Sequence, residues 1–102
     1  MHRQLERQLK AVASVHRLRI LDWLKQPREH FRPQLDGDLV ADGVCALLIA
    51  EKLALAQPTT AQHLKALVDA GFLIAKRTKR WTFYRRDEQA IDAFKAAVGA
   101  DL

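Results

Sequence analysis

At 102 residues, 49% of them hydrophobic, the chain holds enough apolar material for one core and not two, so residues 1–102 read as a single domain. The formal charge of +5 points to an acidic partner. One cysteine rules out an intrachain disulfide, and with it a secreted disulfide scaffold, and no run approaches the ~18 apolar residues of a membrane span.

The N-terminus opens on His2, Arg3, Gln4 and Glu6 rather than on an apolar leader. Leu5, Leu9 and Val12 then recur at helical spacing among Arg3, Glu6, Arg7 and Lys10, which predicts an amphipathic first helix. A second helix is expected from about His16 to Lys25, capped by Ser14, with Leu18, Ile20, Leu21 and Leu24 inward and Arg17, Arg19 and Asp22 outward. Pro27 marks its exit.

From Pro27 to Asp42 the apolar period fails, and Pro33, Gly37, Asp36, Asp38 and Asp42 predict a loop. Helix connections usually take ~2–8 residues, so an insertion of this length is either functional or mobile. The third helix is expected to start beside Asp42 and Gly43 and to carry Val44, Leu47, Leu48, Ala50 and Leu53. A turn through Ala54 and Leu55 leads to a fourth helix, about 57–70, whose first turn tolerates Pro58 and whose end is set by Gly71. A hairpin follows, from Phe72, Leu73 and Ile74 through a turn at Thr78, Lys79 and Arg80 to Trp81, Thr82, Phe83 and Tyr84. Trp81 and Phe83 share one strand face and Tyr84 takes the other. Asp87 is placed to cap a last helix on which Ile91, Phe94 and Val98 repeat. The expected fold is mainly α with a small β-hairpin.

Cations are unevenly spread along this order. Six of the 17 Lys and Arg fall between Lys76 and Arg86, and no acidic residue lies between Gly71 and Arg86. A helix bearing short amide and hydroxyl side chains can reach base edges, and a basic ribbon beside it can grip phosphates, which predicts a winged helix-turn-helix for double-stranded DNA. Gln62 is the expected base reader, since an amide can bond N6 and N7 of adenine together. Gln57 and Thr59, near the helix start, are expected on phosphates, with Lys65 projecting from the same face; Leu64, Leu67 and Val68 hold the other face on the core. Lys76, Arg77, Lys79 and Arg80 should supply the salt-dependent share of affinity.

The strings Arg17-Leu18-Arg19-Ile20-Leu21, Gln57-Pro58-Thr59-Thr60-Ala61-Gln62-His63-Leu64-Lys65-Ala66-Leu67, Ala70-Gly71-Phe72-Leu73 and Arg80-Trp81-Thr82-Phe83-Tyr84-Arg85 fall in one order. In that order they resemble the ArsR/SmtB family of dimeric bacterial repressors over nearly the whole chain. The resemblance implies a homodimer paired through the first and last helices by Leu5, Leu9, Val12, Ile91, Phe94 and Val98, the alternative being that these stripes only close the monomer core; without an apolar leader or span, the expected location is the cytoplasm. The resemblance also implies an inverted-repeat operator and, at His63, a histidine that either packs against the third helix or touches the DNA backbone. Three departures stand out: Ala56 and Ala61 where the family often has Ser, and Lys79 where Gly is frequent at the wing tip.

Metal sensing is not expected. Soft-metal sensors of the family carry two cysteines around the third helix, whereas Gly43-Val44-Cys45 keeps the second alone, and the last helix has no His. No cofactor is implied, and no inducer is identified. The alternatives are a winged-helix module that binds another protein, or a repressor that senses a redox or small-molecule signal through Cys45 or the 27–42 insertion. An enzyme is not expected, because Cys45 has no His partner placed by the sequence and there is no Gly-rich phosphate loop.

Overall fold

The computed structural model describes residues 3–102; Met1 and His2, and so the start of the polar N-terminal run, lie outside the described residues. The helices are α1 (Arg3–Val12), α2 (Val15–Trp23), α3 (Pro27–His30), α4 (Ala46–Leu53), α5 (Gln57–Asp69) and α6 (Glu88–Asp101). The strands are β1 (Val44–Cys45), β2 (Leu73–Arg77) and β3 (Thr82–Arg86), forming one antiparallel sheet in the order β1-β3-β2.

Local chemistry fixes most boundaries. The Ser14 hydroxyl accepts from the Arg17 amide at 3.3 Å and the Asp87 carboxylate from the Ala90 amide at 3.1 Å, so α2 and α6 start where their caps stand. Gly71 takes φ +86°, and the Phe72 amide reaches back to the Leu67 carbonyl at 3.0 Å, which closes α5. Two glutamine amides on α1, from Gln4 and Gln8, donate to the Ala70 carbonyl at 3.4 and 3.3 Å and satisfy that helix end from outside. In the tight turn between α4 and α5 the left-handed residue is Ala54, at φ 57°.

Ile20, Val44, Ile49, Leu64, Leu67, Phe72 and Phe83 form the deepest part of the core, where the helices meet the inner face of the sheet. Phe83 is therefore the aromatic that faces inward, while Trp81 and Tyr84 are half-buried at the core's margin.

Three expectations are corrected. Val44 does not open the third helix: Val44 pairs with Tyr84 and Cys45 with Phe83, which makes a three-stranded sheet of the hairpin and delays the helix to Ala46. Gly43 permits this, since at φ +110° a Cβ there would stand 2.5 Å from the Tyr84 carbonyl oxygen. On α2 the inward stripe runs Arg17, Ile20, Leu21, Leu24, so Arg17 is half-buried and Leu18, one residue out of phase, is 52% exposed. The 27–42 insertion contains the short α3 and is tied down. Phe31 and Leu39 are buried, and the Gln34 amide donates to the Gly43 carbonyl at 2.8 Å while its oxygen accepts from the Cys45 amide at 3.1 Å.

Candidate nucleic-acid interface

On α5 the period of 3.6 turns Thr60, Leu64 and Leu67 into the core and leaves Gln57, Thr59, Ala61, Gln62 and Lys65 exposed. The helix begins at Ala56 with no side-chain cap, as its alanine dictates, and Pro58 in the first turn withdraws one donor. The amide ends of the first turn therefore face outward beside Gln57 and Thr59. Lys65 is not a free cation, because its Nζ lies 2.7 Å from Asp69 one turn on.

His63 is half-buried, and its hydrogen bond and its ring contact lie on α2. Its Nδ1 accepts from Arg17 Nε at 3.1 Å, and its ring centroid is 5.3 Å from that of His16. Burial, then the Arg17 charge, then His16 push its pKa below the ordinary histidine value. Accepting from a guanidinium requires the neutral ring, with its proton on Nε2.

The hairpin cations divide into two kinds. Arg77, Lys79 and Arg80 are exposed and without an ion-pair partner among the described residues. Lys76 instead binds the Asp42 carboxylate at the end of the insertion, and that contact holds the Asp42 pKa down, together with the Asp38 amide. Arg86, counted with the basic ribbon by sequence, is a buried structural residue. Its Nη1 donates to the Leu21 carbonyl at 2.9 Å, and Nε and Nη2 grip the Glu88 carboxylate at 2.7 and 2.9 Å. At the tip, Thr78 closes the loop by pairing with the Trp81 backbone, its amide donating to the Trp81 carbonyl at 2.8 Å. Neither Lys79 nor Arg80 takes a positive φ, so Lys79 needs no glycine there.

The six residues expected at a twofold interface fall into two groups. Leu5 and Ile91 are buried within the chain, while Leu9, Val12, Phe94 and Val98 are half-exposed. Val12 and Phe94 border an apolar groove between α2 and α6 that also takes in the exposed Leu18.

No protein-family model matches the chain. Among curated proteins it is similar to the uncharacterised HTH-type transcriptional regulator YbzH of Bacillus subtilis (strain 168). The two are 44% identical over 82 residues, which cover 80% of this chain and 82% of YbzH. Among solved structures it resembles the solution structure of a homodimeric winged helix-turn-helix DNA-binding domain from Mycobacterium bovis, described as a possible ArsR-family transcriptional regulator. That match has TM-score 0.65 and 28% identity, covering 96% of this chain and 79% of that one. The chain belongs to the ArsR family of winged helix-turn-helix transcriptional regulators. A crystal structure of a possible transcriptional regulatory protein from the same organism matches at TM-score 0.67 and 29% identity over 97% of this chain and 92% of that one. A further ArsR-family regulator shares the fold, with TM-score 0.73 at 18% identity over 96% of this chain and 86% of that one.

These relatives are regulators of transcription, not enzymes. In this member Cys45 is 4% exposed, at the junction of β1 and α4, and no group of three or more His, Cys, Asp or Glu among the described residues is arranged to hold a metal. The insertion aspartates perform turn chemistry instead. Asp38 accepts from the amides of Val40 and Ala41 at 2.9 and 2.7 Å, and Asp42 from that of Asp38 at 2.7 Å. No helix among the described residues is long and apolar enough to cross a membrane.

Two groups escape a reading of the sequence. Arg17 is legible in principle, since it stands three residues before Ile20 on the inward stripe. The ties of Lys76 and Arg86 have no local signature.

Proposed function

We propose that the chain is a dimeric transcriptional repressor that reads an inverted-repeat operator with α5 in the major groove and the hairpin on the flanking phosphates. The observation that carries this reading is the joint exposure of Gln57, Thr59 and Gln62 on a helix followed directly by the free cations Arg77, Lys79 and Arg80. Gln62 reads a base, by preference adenine; Gln57 and Thr59 hold phosphates at the uncapped helix start. Lys65 and Lys76 contribute less than the free cations, because each must first leave a carboxylate. His63 sits behind the reading face and sets the helix's seating. The relative from Mycobacterium bovis is a homodimer. Here Leu9, Val12, Phe94 and Val98 supply the corresponding twofold contact, and Leu18 extends it. The protein acts in the cytoplasm, where bacterial DNA is.

Replacing Gln62 by Ala tests the reading helix. The expected result is a loss of about 1–3 kcal/mol on the preferred duplex, with relaxed preference at one base pair per half-site. An equal loss on every duplex sequence would remove Gln62 from base reading.

A further inference from the structure

We infer that Arg7, Lys10 and Arg17 form a second phosphate-binding surface for duplex DNA, separate from the wing. This rests on the proposed reading of α5. The three cations line an open groove where α1, the start of α2 and the side of α5 meet, together with Ala11, Ala66 and Asp69. Asp69 does not neutralise them, because Lys65 already holds it at 2.7 Å. Arg7 has no ion-pair or hydrogen-bond partner among the described residues, and Lys10 meets Glu6 across exposed surface at 3.4 Å. Arg17 is fixed in place by the His63 ring and by the Ala11 carbonyl at 3.5 Å, so its position is set before any ligand arrives. The first turn of α2 carries no acidic residue that would repel an anion.

Continuity with the reading helix selects the ligand. Ala66 is four residues beyond Gln62, one helical turn and about 6 Å along the axis on the same side of α5. A duplex whose base edges reach Gln62 brings its backbone to the mouth of this groove. Small residues at Ala11 and Ala66 leave the approach open, and guanidinium and ammonium groups at its walls match phosphate oxygens.

The test is the salt dependence of binding to a duplex recovered from a random pool, comparing wild type with the Arg7→Ala/Lys10→Ala double variant. Both side chains are exposed on α1, so the fold is expected to persist, checked by thermal melting. The slope of log K against log salt should fall by about 0.9 for each phosphate no longer neutralised, roughly 1.8 per protomer, with base preference unchanged. Arg7→Lys/Lys10→Arg should restore it. Lys25→Ala, just beyond the opposite end of α2, should leave the slope as in wild type. An unchanged slope in the double variant, or an equal fall per charge in Lys25→Ala, overturns the inference and leaves α5 as the reader. A wild-type chain that binds no duplex overturns both readings.

Discussion

Arg17 donates its Nε–H to Nδ1 of His63 at 3.1 Å, and this bond joins α2 to the back of α5. It exists only while the imidazole is neutral. Protonation turns an acceptor into a donor and sets two positive charges face to face, with His16 close by.

A pH dependence follows. The His63 pKa is depressed in the folded state by burial, by Arg17 and by His16, so near the ordinary histidine value the unfolded chain binds the proton more readily. Stability from this group is fully present above pH ~6.5. It is lost as pH falls through the lower folded pKa. Thermal melting between pH 7.5 and 5 should therefore show a larger drop for wild type than for His63→Gln. Loss through Asp38, Asp42 and Glu88, whose pKa values are also depressed, falls in the more acid carboxylate range and is separable. Parallel curves for the two proteins from pH 7.5 to 5 would contradict the role given to His63.

The two neighbouring arginines at the end of β3 should behave oppositely. Arg86→Ala leaves the Leu21 carbonyl without its donor in a buried site and removes packing between α2 and the start of α6, at a cost of about 1–3 kcal/mol in urea unfolding. Arg85→Ala, on the exposed side of the strand, should stay within about 0.5 kcal/mol. Equal costs would mean that Arg86 is not the tie between the wing and the helices.

Gly43 and Gly99 make a second contrasting pair. A methyl at Gly43 meets the Tyr84 backbone at φ +110°, so Gly43→Ala should cost about 2 kcal/mol or more and loosen β1. Around Gly99 there is open space on a helix, and Gly99→Ala should stabilise by up to about 1 kcal/mol. Urea midpoints measure both; a neutral Gly43→Ala would argue against the β1–β3 pairing.

Substitutions on the apolar stripes should separate assembly from folding. Leu9→Asp with Val98→Asp falls on half-exposed positions and should yield a folded monomer in sedimentation at micromolar concentration, where wild type is expected to be a dimer. Ile91→Ala, at 6% exposure, should instead cost about 2–5 kcal/mol of stability. A double variant that still sediments as a dimer would move the interface elsewhere.

The sequence predicts best where the cause is local. Ser14, Asp87 and Gly71 act within four residues of themselves, and the alternation in β3 follows from the chain's own period, so caps, stops and strand phase can be read directly. Val44–Cys45 cannot, because a two-residue strand exists only through β3, some forty residues away. The order of the insertion depends on Gln34 reaching Gly43 and Cys45, also a tertiary event. The free cations of the wing are legible as a cluster. That Lys76 and Arg86 are already engaged depends on Asp42, Leu21 and Glu88 arriving from other elements. Leu18 is misplaced when its helix face is assigned from hydrophobicity rather than from phase, which puts an arginine on the inward line.

The most direct test of the account is selection of bound duplexes from a random pool by the wild-type chain. Enrichment of a twofold-symmetric site whose half-sites lie about one helical turn, ~34 Å, apart is the predicted result, with the preference at one position per half-site lost in Gln62→Ala. A pool that remains unenriched, or one enriched identically by wild type and Gln62→Ala, would contradict a reading in which α5 recognises sequence.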